Sequence, residues 1–139
     1  MKKTHNLAVD IIAKKPEVLG IDGLSSEQLL SEPIKFPELR KKSQETGDLI
    51  LIWPSAPKEW EVLIAEVTIG AFRRGVRERW KLAMSLDYLR NYCMEFLKSV
   101  ELDLPENYTL WVRTFYVSYT GIPIWEKPFV EEIRRVQIL

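Results

Sequence analysis

The chain has 139 residues, of which 46% are hydrophobic and 29% are charged, so one globular domain over residues 1–139 is expected to fold without disulfides. Twenty basic residues balance 20 acidic ones, which excludes a general attraction of the whole molecule to nucleic acid. A single histidine, His5, and a single cysteine, Cys93, exclude zinc sites built from Cys and His and catalysis by a Ser-His or Cys-His pair.

The N-terminal third predicts two helices and an edge strand. In "THNLAVDIIAKK" the apolar residues have helical spacing, which predicts a helix near residues 4–15. In "SSEQLLSEP" Ser25 and Gln28 have capping-box spacing and Pro33 marks a stop, so a short second helix is expected. "IKFPELRKK" is compatible with a strand, and Pro37 favours a sheet edge because proline cannot donate to a ladder.

The centre of the chain predicts an antiparallel pair of strands. "GDLILIW" and "WEVLIAEVTIG" are both rich in β-branched and aromatic residues, as strands commonly are. The segment "PSAPKE" between them has two prolines in six residues and suits a hairpin loop.

The residues from Phe72 to Val100 predict a long amphipathic helix. Their apolar residues recur in steps of three and four and form one stripe, namely Leu82, Leu86, Leu89, Cys93, Phe96, Leu97 and Val100. "YTLWVRTFYVSY" then returns to strand composition. A helical crossover of this length allows the strands before and after it to be parallel.

The C-terminal residues predict an appendage to this core. "TGIPIW" suggests a turn and a short strand, and "FVEEIRRVQIL" suggests a terminal helix with Phe129, Val130, Ile133 and Val136 on one side. The order of elements therefore predicts an α/β fold with a mixed sheet flanked by helices and a C-terminal strand and helix. With no apolar run of about 18 residues, the protein is expected to be cytoplasmic, without a membrane partner.

Glu66 is a carboxylate in the middle of a strand that otherwise reads as buried. In the alternation of strand side chains, Val62, Ile64, Glu66 and Thr68 share one side. A hairpin register that sets Ile50 opposite Ile64 and Ile52 opposite Val62 also sets Asp48 opposite Glu66. The two acids are then expected to meet at one end of the hairpin.

Two explanations of this acidic pair stay open on spacing alone. Opposed carboxylates repel, and a Mg²⁺ ion would resolve the repulsion because it takes one or two carboxylates together with waters and a substrate phosphate. Alternatively, one acid points to solvent or pairs with an arginine of the basic segment "RRGVRERWK" at residues 73–81.

This order of elements resembles that of the PD-(D/E)xK nuclease superfamily. One acid, Asp48, opens a strand, a hairpin leads to a second strand that contains the other acid, Glu66, and a helix and a further strand follow. That superfamily includes restriction endonucleases and archaeal Holliday-junction resolvases. The resemblance covers about residues 25–119 and implies a restriction endonuclease-like αβββαβ core. It implies that Asp48 and Glu66 bind Mg²⁺ (or Mn²⁺) and that the protein hydrolyses DNA phosphodiester bonds.

The sequence departs from the family pattern at one position, because Thr68 stands where the motif has a lysine. If the enzyme is active, another cation is needed. Lys81 is the first candidate and Arg77 the second, since helical geometry places both on one edge of the long helix with Arg74. Arg74 and Arg77 are also the candidate DNA-binding residues.

The family often adds an acid from the first helix, and Glu27 is the first candidate for that role, with Asp10 second. The partner is expected to be DNA, with branched and single-stranded DNA as open alternatives. Core packing is the default explanation for most of Trp53, Trp60, Trp111 and Trp125, but some of them could line the contact of a homodimer. A catalytically inactive module that binds nucleic acid or a protein is the alternative function, because Thr68 is consistent with lost chemistry.

Overall fold

The computed structural model describes residues 2–29, 34–35, 48–70, 76–99, 101–102, 104, 107–119 and 128–138. The elements in chain order are helix α1 (Lys2–Lys14), a 3₁₀ turn (Pro16–Leu19), β1 (Ile34–Lys35), β2 (Leu49–Ala56), β3 (Glu59–Ile69), α2 (Val76–Ser99), β4 (Thr109–Tyr119) and β5 (Phe129–Ile138). The described chain is therefore of the α/β class, as the sequence predicts.

One mixed sheet organises the described residues, with the strands in the order β1-β2-β3-β4-β5. β2 and β3 form the predicted antiparallel hairpin, and its register sets Ile50 opposite Ile64 and Ile52 opposite Val62. β3 and β4 are parallel, which confirms the prediction for strands joined by a helical crossover. β5 lies antiparallel to β4 at one edge of the sheet.

The two sides of the sheet carry two separate hydrophobic clusters. The odd-numbered residues of β2 and β3, such as Leu51 and Leu63, pack with α1, and we call this side the α1 face. The even-numbered residues, such as Ile52 and Ile64, pack with α2, and we call this side the α2 face. Because strand side chains alternate, the parity of a residue in β3 or β4 tells which face it occupies.

The predicted C-terminal helix is wrong, because Phe129–Ile138 is strand β5. Its ladder with β4 is irregular at Ile133, where the register shifts between Thr114 and Phe115. The extra residue shifts the alternation of side chains between the two faces of the sheet. Ile133 and Val136 therefore both pack with the cluster on the α2 face, although they are three residues apart. This spacing resembles that of a helix, which explains the wrong prediction. The predicted strand in "TGIPIW" lies outside the described residues.

The predicted short second helix is also wrong over the residues that the structure describes. Residues 26–28 form a turn instead, and the amide of Gln28 donates to the carbonyl of Ser25 over 3.1 Å. The amide of Ser26 donates to Glu17 Oε1 over 2.5 Å. At the start of a helix this amide would lack a partner within the helix, and here a side chain of the 3₁₀ turn provides one. The prolines at positions 33 and 37 lie outside the described residues.

The turn between β2 and β3 is shorter than the predicted loop. β2 continues through Ala56 with a bulge after Pro54, so the connecting turn is only Pro57 and Lys58. Lys58 has a φ of 61°, the left-handed conformation that a tight turn requires.

Among the described helices, none is long and apolar enough to cross a membrane.

Candidate active site

Glu66 lies near the end of β3 on the α2 face, and it is 3% exposed. Lys81, in the second turn of α2, places its Nζ 3.3 Å from Glu66 Oε1. The Lys81 side chain is 26% exposed, so its ammonium group connects the buried carboxylate with the surface. A strand that buries an acid and a helix that supplies a cation therefore meet at this point.

Asp48 lies in the bend that precedes β2, at the same end of the hairpin. Its amide donates to the carbonyl of Ala65 over 2.8 Å, although the β2–β3 register already pairs Ala65 with Leu49, so the regular ladder ends at that pair. Its Oδ2 accepts the amide of Val67 over 2.8 Å and lies 3.2 Å from His5 Nε2. His5 comes from α1 and also lies 3.1 Å from the carbonyl oxygen of Val67. The Asp48 carboxylate thus sits at the sheet end, held by β3 and α1.

The two carboxylates are close enough to influence each other. The pKa of Glu66 is raised to about 8, mainly by burial and also by the negative charge of Asp48, while Lys81 and His5 oppose the shift. The hydrogen bond to Asp48 raises the pKa of His5 to about 8. At neutral pH, Glu66 without an added cation therefore retains a proton, and His5 carries a positive charge.

The donor atoms left over fit a small divalent cation. Glu66 Oε2 is buried and has no hydrogen-bond partner among the described residues. The contacts of Asp48 with His5 and Val67 both use Oδ2. Within the same residues no group of three or more His, Cys, Asp or Glu side chains could hold a metal ion. Mg²⁺ needs fewer, because water and substrate oxygens complete its shell.

The structure describes two of the three basic residues predicted for the site, Lys81 and Arg77. Lys81 reaches Glu66, as described above. Arg77 is exposed in the first turn of α2, one turn before Lys81. Arg74 lies outside the described residues, so its predicted role as a DNA contact stays a prediction. Thr68 shares the α2 face with Glu66 and hydrogen-bonds Tyr116 through its hydroxyl.

The predicted helix acid Glu27 is exposed in the turn at residues 26–28 and is not on a helix. In the described contacts, no hydrogen bond or ion pair joins Glu27 to Asp48 or Glu66. The second candidate, Asp10, is half-buried on α1. The structure thus joins Asp48, Glu66 and Lys81, and it does not bring Glu27 to them.

His5 is the site residue that sequence reasoning missed. α1 begins at Lys2 and contains His5. The signal was present in the sequence, because His5 precedes the buried residues Ala8, Val9 and Ile12 at steps of three, four and seven. A polar residue in that helical series points to the sheet and needs a partner.

Tyr116 and Arg79 were missed as well. Tyr116 is 1% exposed and lies beside Glu66 in the parallel β3–β4 ladder. The guanidinium of Arg79 lies 5.1 Å from the centre of the Tyr116 ring and 2.5 Å from Glu131 Oε2 on β5. Neither contact has a local sequence signal, because each depends on the sheet order.

In comparisons with protein-family models, with curated proteins and with solved structures, no match to this chain was found.

The only histidine of the chain provides a direct test of this geometry. We expect NMR titration of the His5 imidazole to give a pKa of about 8, and Asp48→Asn to lower it towards the ordinary 6.5, because the Asp48 hydrogen bond is the main cause of the shift. Glu27→Gln is the matched control and should leave this pKa unchanged. A His5 pKa near 6.5 in the parent protein would contradict the described contact.

Proposed function

We propose that this protein is a Mg²⁺-dependent nuclease that hydrolyses DNA phosphodiester bonds. The observation that carries the proposal is the convergence of Asp48, Glu66 and Lys81 at one end of the β2–β3 hairpin. A buried acid with an unpartnered oxygen is costly in a protein of marginal stability, and a functional role explains its presence.

The order of elements also supports the nuclease-like assignment. The described chain has a helix, three strands, a helix and a strand in sequence, which is the αβββαβ order of the proposed core. The first helix is α1 rather than a helix near residue 25, so the proposed core covers residues 2–119. β5 then extends the sheet beyond β4.

The chain's own residues have separable tasks in the proposed reaction. Asp48 and Glu66 would hold Mg²⁺ or Mn²⁺ through the oxygens that their described hydrogen bonds leave open. The ion supplies positive charge at the phosphate and a bound water of lowered pKa. Lys81 is placed to neutralise charge that develops on the substrate and to exchange a proton at Nζ, the role that Thr68 cannot perform. His5 holds Asp48 in position from the other face.

The direct experiment is a cleavage assay on linear duplex, branched and single-stranded DNA, with Mg²⁺, with Mn²⁺ and with chelator. We expect cleavage only with a divalent cation, and loss of it in Asp48→Asn, because that variant removes one anionic ligand. Following the His5 imidazole signal during a Mg²⁺ titration gives a second readout that needs no substrate. Metal binding without cleavage of any DNA would reject the nuclease.

DNA binding is expected to depend on α2 and on salt. The molecule has no net charge, so DNA binding should come from the local basic segment at residues 73–81. The affinity should fall steeply as the salt concentration rises, because salt weakens the attraction between these residues and the DNA phosphates. We expect Arg74→Gln with Arg77→Gln to remove most of the affinity, measured by fluorescence anisotropy at several salt concentrations. Arg90→Gln with Lys98→Gln, on exposed positions further along α2, is the control pair. Salt-insensitive binding would place the contact elsewhere.

A catalytically inactive module that binds nucleic acid or a protein is the second candidate. Thr68 at the motif lysine position favours it, as does the exposed aromatic surface of α2, where Trp80 is 54% exposed. Such a module should bind DNA equally well with chelator and with Mg²⁺. A homodimer and a cytoplasmic location stay predictions, and sedimentation of the purified protein tests the first.

A further inference from the structure

A cleft lies on the α1 face, away from the Asp48–Glu66 site. It has a volume of about 560 Å³ and opens between the segment Leu19–Asp22 and the sheet strands β3, β4 and β5. It exists because α1 packs on β2 and β3, and β5 extends the sheet beyond them. Glu61 and Arg113 occupy odd positions on β3 and β4, so they belong to this face, whereas Glu66 belongs to the other.

Glu61 is a buried acid with one open oxygen in this cleft. Its side chain is 7% exposed, and its Oε1 accepts a hydrogen bond from Arg135. Its Oε2 is buried and has no hydrogen-bond partner among the described residues. An oxygen of this kind loses the solvation it had in water and gains nothing in return unless a donor reaches it.

The arginines of the cleft are already engaged. Arg135 pairs with Glu61 and lies 4.8 Å over the ring of Trp111, and Arg113 Nε lies 3.0 Å from Glu132 Oε1. The lining contains three acids, the third being Asp22, against these two arginines, which is a net charge of −1. The net negative charge therefore favours the binding of a cation. An anion would have to displace Glu61 or Glu132 from its arginine.

The rest of the cleft is suited to hydrocarbon. Leu19, Ile21, Phe115 and Val130 line it, and Leu19 and Phe115 are buried members of the α1-face cluster. A ligand that carries a short apolar chain behind its charged group can thus cover apolar surface while its charge meets the carboxylate.

We infer that this cleft binds a primary ammonium group on an aliphatic chain, with the ammonium donating to Glu61 Oε2. An ammonium ion supplies both the charge and the N–H donor that this oxygen lacks, and such charge-assisted hydrogen bonds are the stronger kind. The site is independent of the proposed metal site, so either can fail without the other.

The test uses n-butylammonium as the probe and follows backbone amide NMR shifts of the full chain. Saturable shifts at Glu61 and Arg113 are expected in the millimolar range. Neither n-butanol, which lacks the charge, nor tetramethylammonium, which lacks N–H donors, should produce them. These two controls separate the proposed contact from burial of hydrocarbon and from nonspecific attraction of a cation.

Two variants make the assignment specific to Glu61. Glu61→Gln keeps the shape and removes the charge, so it should weaken n-butylammonium binding at least tenfold, while the His5 titration stays as in the parent protein. Arg135→Gln removes the competing cation and should tighten binding. Equal affinity in the parent protein and Glu61→Gln, or equal binding of n-butanol, would overturn the inference.

Discussion

Lys81→Ala is expected to reduce Mg²⁺-dependent DNA cleavage by about 100-fold or more, the usual scale for removing a general acid or base. The Nζ of Lys81 lies 3.3 Å from Glu66 Oε1, and Thr68 at the motif lysine position is uncharged. Single-turnover kinetics at saturating enzyme measure the effect on the chemical step, and anisotropy checks that DNA affinity is nearly unchanged.

Three controls accompany this variant. Lys98→Ala, an exposed lysine in the last turn of the same helix, should cleave at the parental rate. Thr68→Lys in the Lys81→Ala background should recover part of the activity, since residue 68 shares the α2 face with Glu66. Mg²⁺ affinity, followed at His5, should persist in Lys81→Ala. Parental cleavage by Lys81→Ala would assign the role of the cation to another residue.

Glu66→Gln is expected to abolish the response to Mg²⁺ and at the same time to stabilise the metal-free protein at high pH. The neutral amide avoids the cost of ionising a group that is 3% exposed. At pH 8.5 the gain in the free energy of unfolding should be about 2 kcal/mol, below the full value of the pKa shift because Lys81 loses its partner. Thermal unfolding with and without Mg²⁺ measures both effects.

The pH dependence follows from two raised pKa values. The folded protein holds the Glu66 proton up to about pH 8 and the unfolded chain releases it near 4.5, so stability falls as pH rises between these values. His5 contributes stability that is complete below 6.5 and is lost as pH rises through about 8. Both effects have the same sign, so the metal-free protein should be less stable at pH 8.5 than at pH 6.

The stabilising effect of Mg²⁺ should show the opposite trend. The ion competes with the proton for Glu66, so its increase of the melting temperature should be larger at pH 8.5 than at pH 6. Asp87→Asn, an exposed acid on α2, serves as the control and should change neither profile. A Glu66→Gln protein that is less stable than the parent at pH 8.5 would show that Glu66 is a structural member of an ion pair with Lys81.

The sequence predicts the central part of the molecule because its signals there are local. Alternation fixes the β2–β3 register, which places Asp48 and Glu66 at the same end of the hairpin, while the helical stripe of α2 is visible in the spacing of its apolar residues. Lys81 was chosen by helical geometry, and the structure places its Nζ beside Glu66.

Other features could not be found in this way. The partnership of His5 with Asp48 joins residues 43 positions apart through the docking of α1 on the sheet end. The strand identity of β5 depends on an available edge of β4 and on a bulge that disguises the alternation at Ile133. The cleft at Glu61 exists only because the extended sheet is wider than α1. Each depends on tertiary arrangement, which no window of sequence contains.

The parallel pairing of β3 with β4 also determines when the site can form during synthesis. Asp48, Glu66 and Lys81 all leave the ribosome before β4, whose pairing with β3 spans 50 residues of sequence from Glu59 to Thr109. Until β4 has been made, one edge of β3 has no strand to pair with, and an apolar strand edge of this kind promotes misassembly. Glu66 is buried only when α2 has docked on its face and β4 has brought Tyr116 beside it, so a proton or a metal ion must accompany this closure.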